Sequence, residues 1–478
     1  MSVDAMHRRD FIERMGVLGL GGLVPAALLG GCESLFEQIR NRPVRRRLRT
    51  GSPEVDADIA IYKEAVSLMK ARPNSDPRSW AAQAAIHGTV AGGFNLCQHG
   101  TDHFFSWHRA YLLYFERICQ TLTGENKFGL PYWNWNRNPA LHAQFTNAAS
   151  PLFHPRSNTS VAGNAVFGNT VLNTIFADTN FFSFGSQIEG SPHNTAHSII
   201  GQDMASGGSA LDPVFWTHHC MVDYCWAKWN IELGNDNTND AGWFTTSWNH
   251  FVDGNGNPAS VTAGMTVLMP LLSYRYEPSP IGGFEIAVDV AALSAQELRQ
   301  VQARLEKGAD VRFDIKRRVP IARGARFPLA RPFLGQTAVS AREFANVIEA
   351  DNPAERIFVR VDAAQLPATT DFFVRVFVDL PTATAQTPTD DPHYAGSFAF
   401  FGGGHGAHHG THRPKTQFLV NVSDALRRLR RSGALRADEV LTVQLVAVPV
   451  PGATLAAQEQ LVLEDIELIV SPVHIRAR

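Results

Sequence analysis

Residues 97–116 read C-Q-H-G-T-D-H-F-F-S-W-H-R-A-Y-L-L-Y-F-E, residues 189–197 read E-G-S-P-H-N-T-A-H, and residues 212–223 read D-P-V-F-W-T-H-H-C-M-V-D. All three stretches are dense in imidazole and aromatic rings, and all have helical spacing. His193 and His197 stand four apart, so on a helix both rings leave the same face. His108 opens an apolar helical run through Tyr111, Leu112 and Phe115. Neutral imidazole is the commonest protein ligand for copper, zinc, iron and nickel. Two such groups, far apart along the chain, predict two metal half-sites brought together by a helix bundle.

Working outward, Glu54 to Met69 has a helical pattern with Ile59, Tyr62, Ala65, Val66 and Met69 on one face. A second helix runs from Ser79 through an alanine-rich stretch to Gly88, a natural stop. His87 ends that helix. Taken alone, it reads more often as a hydrogen-bonded core histidine than as a ligand. Residues 120–190 are loop-rich, with Pro131 to Asn136 as a buried aromatic turn. Residues 213–233 read as a helix, and Asn235 to Asn257 as a polar loop. Tyr274-Arg275-Tyr276 precedes Glu277-Pro278-Ser279-Pro280, a domain edge.

Beyond that edge aromatics thin out and alternating runs appear at 357–361, 372–378 and 441–446, which predict strands. Asp424 to Arg431 reads as one short basic helix. Gly402 to His412 is a histidine-rich, glycine-rich run open to two readings, weak metal binding or a solvated loop.

The N-terminal residues read as an address. Arg8-Arg9-Asp10-Phe11-Ile12 followed by an apolar stretch from Val17 to Gly31 resembles a twin-arginine export signal, which directs the protein to the periplasm or beyond. Leu29-Gly30-Gly31-Cys32 resembles a lipoprotein box, so Cys32 is a candidate lipid anchor. The basic run Arg40 to Arg49 reads as a solvated linker. The formal net charge is −2 over 478 residues, which gives no global electrostatic case for nucleic acid. Five cysteines without CxxC spacing make a disulfide framework a poor reading.

Together these motifs resemble the tyrosinase and polyphenol oxidase family, the type 3 copper proteins that also include molluscan haemocyanins. The resemblance is close over 54–280 and looser over 310–478, which is similar to the C-terminal domain of plant polyphenol oxidases. It implies a mainly α, four-helix-bundle dicopper domain with loop-rich insertions, followed by a β-rich, sandwich-like domain. The expected division is 1–49 export signal and basic linker, 50–280 dicopper domain, 281–309 linker and 310–478 shielding domain. It implies two copper ions. His87, His99 and His108 would hold the first, and His193, His197 and His219 the second, with His103 and His218 as nearby decoys. Six imidazoles without a carboxylate suit copper. A di-iron site would want Glu-x-x-His pairs, and a two-zinc hydrolase bridging carboxylates.

The resemblance further implies dioxygen and phenolic small molecules as substrates. A tyrosinase hydroxylates monophenols and oxidises o-diphenols to o-quinones. A catechol oxidase performs only the second step, and a haemocyanin carries dioxygen. Glu189 and Asn194 match positions linked with monophenol deprotonation through a held water. They could equally favour and cap a helix N-terminus. Cys97 matches the C-x-H spacing of a thioether to His99. Asp223, four after His219, is the expected acceptor for a ligand ring N–H, and Tyr224 stands where the family usually has Arg or Lys. Met204 to Gly208, all small after the methionine, predicts an open substrate entrance. The C-terminal domain is expected to hold the enzyme latent, with one ring among Tyr394, Phe398, Phe400 and Phe401 in the entrance.

Overall fold

The computed structural model describes residues 41–277 apart from 234, 236, 239 and 240, together with 316–349, 355–365, 372–399, 416–449 and 453–472. The twin-arginine pair, Cys32, the 281–309 linker, Phe400, Phe401 and the histidine-rich run lie outside the described residues. Among the described residues, no helix is long and apolar enough to cross a membrane.

The helix Phe104–Thr123 is the axis of the first domain. Nearly every side chain from Phe104 to Glu116 is buried, so this helix is apolar around most of its circumference and must be covered on all sides. It packs against the helices Pro53–Lys70, Pro213–Ala227 and Ala263–Leu272. Gly124 ends it in the left-handed conformation, φ +76°. The helix Pro213–Ala227 is buried at every position. Its start is set by Pro213 in the first turn and by Asp212, whose carboxylate accepts the Val214 N–H at 2.8 Å. Arg156 grips the same carboxylate with both arms of its fork, at 2.6 and 2.7 Å.

The predicted strands and basic helix of the second domain are present, as Glu355–Gln365, Phe372–Val378, Val440–Pro449 and the helix Ser423–Ser432. Two four-stranded antiparallel sheets form it. Phe372–Val378 and Val440–Pro449 are central in one, flanked by Tyr394–Ala399 and Phe333–Ser340. Glu355–Gln365 and Gln460–Pro472 are central in the other, flanked by Thr416–Asn421 and Arg317–Pro328. Residues of both sheets share one apolar cluster, including Val374, Val376, Leu445, Val361 and Leu468.

The basic run is not a linker. Val44 and Arg45 form a parallel pairing with Arg275 and Tyr276, and Leu48 N–H bonds Tyr132 O at 2.9 Å. Arg45 is wholly buried. Its Nε donates to Glu116 at 2.8 Å, its Nη1 to Asp223 and to the Tyr276 hydroxyl at 3.1 Å, and its guanidinium carbon lies 3.6 Å from the Tyr274 ring centroid. A guanidinium stripped of water needs such partners. Charge in the sequence suggested solvation because the paired carboxylates are distant along the chain. The polar stretch 235–257 likewise contains order, a short helix Ala241–Thr245 and a strand Ser247–Val252 paired with Pro258–Thr262.

Candidate metal centre

Six of the histidines singled out in the sequence meet at the centre of the helical domain. His87 is the last residue of the helix Trp80–His87. His99 is on a loop, and His108 is one turn into the axial helix. His193 ends a π-helical turn, Glu189–His193, that contains Pro192. Proline cannot donate to a helical ladder, and the widened turn accommodates it. His197 follows in the helix Asn194–Ile200, and His219 lies in the helix Pro213–Ala227.

Within the first trio the ring centroids are 4.9 Å (His99–His108), 5.3 Å (His87–His99) and 5.9 Å (His87–His108) apart. Within the second they are 4.5 Å (His193–His197), 4.8 Å (His193–His219) and 5.6 Å (His197–His219). The trios touch, with His108 stacked on His219 at 4.3 Å and His99 on His193 at 5.5 Å. Burial pulls the His87 imidazole down to about 4. It pulls the other five well below the ordinary value of 6.5. All six rings are therefore neutral at pH 7, the form that ligates.

Hydrogen bonds orient the rings and fix their tautomers. His87 Nδ1 lies 3.0 Å from Gly207 O, His108 Nδ1 2.7 Å from Phe104 O, and His197 Nδ1 2.6 Å from Met204 O. A carbonyl only accepts, so in each ring Nδ1 carries the proton and Nε2 the lone pair. His193 Nδ1 meets Asn194 Oδ1 at 2.7 Å, and His99 Nδ1 meets Glu189 Oε1 at 3.2 Å, with the same consequence. His87 Nε2 and His99 Nε2 then face each other at 3.1 Å. Two lone pairs at that distance repel unless a cation lies against them. His108 Nε2 is buried with no hydrogen-bond partner among the described residues. This donor set fits a metal that prefers imidazole.

The decoys differ. His218 lies with His193 and His197 in a group whose ligand atoms are all within 4.8 Å of one another, so distance alone does not separate it from His219. But Trp135 Nε1–H donates to His218 Nδ1 at 3.1 Å, which leaves the proton of that neutral ring on Nε2. His103 precedes the axial helix and stacks on Trp243 at 5.6 Å. Cys97 is buried beside His87 and His99, and burial pushes its thiol up.

Several expectations are corrected. Among the described residues Asp223 accepts no histidine ring N–H. Its carboxylate takes Arg109, Arg45 at 3.1 Å, Tyr274 OH at 2.5 Å and Tyr276 OH at 2.6 Å. Burial alone would raise that carboxyl, but Arg109 and Arg45 hold it below the ordinary value. The cation expected at 224 thus comes from residues 45 and 109, and Tyr224 stacks on Tyr132 at 4.8 Å. The segment 204–208 is a shelf and not an opening: Met204 is fully buried, and the Met204 and Gly207 carbonyls orient two rings. A Cβ on Gly207 would lie 2.3 Å from Gly93 O, and one on Gly88 2.7 Å from Gly207 O, so this crossing of backbones needs glycine. Asn194 does not cap a helix; the cap position of its helix is His193, with no side-chain cap bond. Glu189 Oε1 accepts Gly100 N–H at 2.8 Å, and burial pushes this carboxyl up to about 8 against that bond.

The second domain reaches this site. Asn194 Nδ2 donates to Ala399 O at 2.8 Å, in a buried contact. Arg356 Nη2 donates to Ala177 O at 2.9 Å. Tyr394 and Phe398 are not rings free to enter the site. The Tyr394 hydroxyl bonds Ser397 at 2.7 Å and its ring meets Phe377, while Phe398 stacks on Phe418 at 4.6 Å. The orienting carbonyls, and Ala399 O, had no side-chain signature by which sequence could find them.

Two trios of neutral, buried imidazoles in ring contact fit a dinuclear centre of the type 3 copper class. Residues 77–170 and 142–232 match the family model for the common central domain of tyrosinase, so this part of the chain is a tyrosinase-type central domain. A tyrosinase of Hahella sp. (strain CCB-MM4) is 31% identical over 287 residues, 47% of this chain and 61% of that protein. Polyphenol oxidase A1, chloroplastic, of Vicia faba is 26% identical over 302 residues, 52% of this chain and 49% of that protein. The chain thus spans less than two thirds of the length of these curated relatives. A latent aurone synthase (polyphenol oxidase) superposes with TM-score 0.63 at 21% identity over 91% of each chain. A latent apple tyrosinase gives 0.62 at 21% identity over 90% of this chain and 97% of that one. These likenesses are of fold, and they run through both domains.

Proposed function

We propose that this chain is a copper-dependent phenol oxidase that hydroxylates monophenols to o-diphenols and oxidises o-diphenols to o-quinones with dioxygen, and that its C-terminal domain holds it latent. The observation that carries the reading is the set of imidazole lone pairs turned inward, above all His87 Nε2 against His99 Nε2 at 3.1 Å. His87, His99 and His108 are assigned to one copper, and His193, His197 and His219 to the other. His219 is preferred to His218 because Trp135 occupies the His218 Nδ1 lone pair. Bound there, two coppers supply the paired electrons that dioxygen chemistry needs and the Lewis acidity that favours phenolate.

The chain's own residues then do the positioning. Glu189 holds His99 and the Gly100 backbone together, which steadies the one ligand carried on a loop. Asn194 holds the His193 ring with its carbonyl oxygen. Its amide N–H is spent on Ala399 O while the C-terminal domain is docked. Release of that domain frees this donor, with Glu189, to orient a water that takes the phenol proton. Cys97 is assigned a thioether to His99 on the C-x-H spacing, which would freeze that ring further.

The test is copper loading without oxygen, followed by oxygen with tyramine and with a catechol as separate substrates. Both should be turned over, and cleavage near residue 285 at matched copper content should raise both rates. Reversible oxygen uptake without product would make the protein a carrier. Oxidation of the catechol alone would make it a catechol oxidase.

A further inference from the structure

A cavity of about 460 Å³ lies at the seam of the two domains, and none of the six histidines lines it. Ser191, Val171 and Ile175 contribute walls from the helical domain, and Leu419, Asp390 and Asp391 from the β-domain. Ser191 sits in the π-helical turn between Glu189 and His193. It is 7% exposed, and its hydroxyl has no hydrogen-bond partner among the described residues. A buried hydroxyl in that state favours any ligand that bonds it.

The charges around the cavity are unbalanced. Asp424 already pairs with Arg427 at 2.8 Å. Arg428 spends one Nη on the carbonyls of Pro392 and Tyr394, at 3.2 and 2.7 Å. Asp391 accepts the His393 backbone N–H at 2.9 Å, and no cation pairs with Asp390 or Asp391 among the described residues. Besides the Asp424–Arg427 pair, the lining thus sets two carboxylates, Asp390 (exposed) and Asp391 (partly exposed), against the one guanidinium of Arg428, an excess of negative charge at that end. Val171, Ile175 and Leu419 offer apolar wall for a ligand body, and the volume suits a small organic molecule.

We infer that this seam cavity binds a small protonated amine with an apolar body, and that its occupancy holds the C-terminal domain in place. The sign follows from linkage. The walls belong to two domains, so the complete site exists only when they are docked, and a ligand that binds one state alone stabilises that state. Binding stands on the cavity itself; its consequence for activity rests on the latent reading above.

The probe is 2-phenylethylamine, which has no phenol to oxidise, with 2-phenylethanol as its neutral counterpart, on the full-length, copper-loaded protein. The amine should raise the melting temperature saturably and the alcohol should not. Asp390→Asn with Asp391→Asn should weaken the amine about tenfold, the equivalent of one charge-assisted contact. Asparagine keeps an oxygen for the His393 N–H, so the turn should survive. The amine should also lengthen the lag of activation after cleavage near residue 285 about threefold in the parent protein and not in the double variant. No saturable shift, or an equal shift in the double variant, overturns the site. A shift with no change in lag overturns its hold on the domain. Should full-length and cleaved proteins prove equally active, latency fails, and the thermal shift still decides the site.

Discussion

The two histidine trios reach the same geometry by different routes. In the second, His193, His197 and His219 all sit on helical backbone, and two of them are four residues apart. In the first, only His108 is inside a helix; His87 is a helix's last residue and His99 is on a loop. Backbone regularity sets the second trio. The first depends on bonds from distant residues, Gly207 O to His87 and Glu189 to His99. One feature is common to both: Arg109, next to His108, grips Asp223, four residues after His219, and so ties the two ligand helices together.

The largest effects should come from the ligands. His108→Ala and His197→Ala should each lower oxidase activity by at least about a thousandfold, measured as oxygen consumption, because each removes a lone pair from a metal that needs three. Activity within tenfold of the parent in either variant would break the assignment of that trio.

Next comes the tie between the helices. Asp223→Ala leaves Arg109 buried without its carboxylate and Arg45 with Glu116 alone, and should cost about 3–5 kcal/mol in denaturant unfolding. A loss below about 1 kcal/mol would show the network to be dispensable. The same carboxyl is held below its ordinary value of 3.8, so its contribution is present above that pH and lost as pH falls through the lower folded value. Acid unfolding of the copper-free parent should therefore be steep below pH 3.8 and less steep in Asp223→Asn.

The contrast between trios is sharpened by their orienting partners. Glu189→Ala should weaken copper in the first trio by about 10–100-fold, since a loop-borne ring loses its anchor. Asn194→Ala should weaken the second by less than about tenfold, since helical backbone still aims His193. Competition with a copper chelator reads both, and equal losses would remove the distinction. Asn194→Ala should also slow tyramine hydroxylation more than catechol oxidation in the cleaved enzyme.

Legibility followed the same divide. Helical spacing exposed His193, His197 and His108 directly, and alternation exposed the strands at 357–361 and 372–378. His87 and His99 needed the family resemblance, because a helix end and a loop leave no periodic trace. Arg45 was misread because its partners, Glu116, Asp223 and Tyr276, lie 71, 178 and 231 residues away. Asp223 was misread for the same reason: a buried acid beside a ligand helix has several possible donors, and only the fold selects among them. The carbonyls of Phe104, Met204 and Gly207 are invisible to residue type.

The central claim is that each trio holds one copper, with His219 and not His218 in the second. It is tested most directly by metal analysis after anaerobic copper loading of the parent, His197→Ala, His219→Ala and His218→Ala. The account predicts two coppers per chain in the parent and in His218→Ala, and one in each of the other two. One copper in the parent, or a loss in His218→Ala with none in His219→Ala, would contradict it.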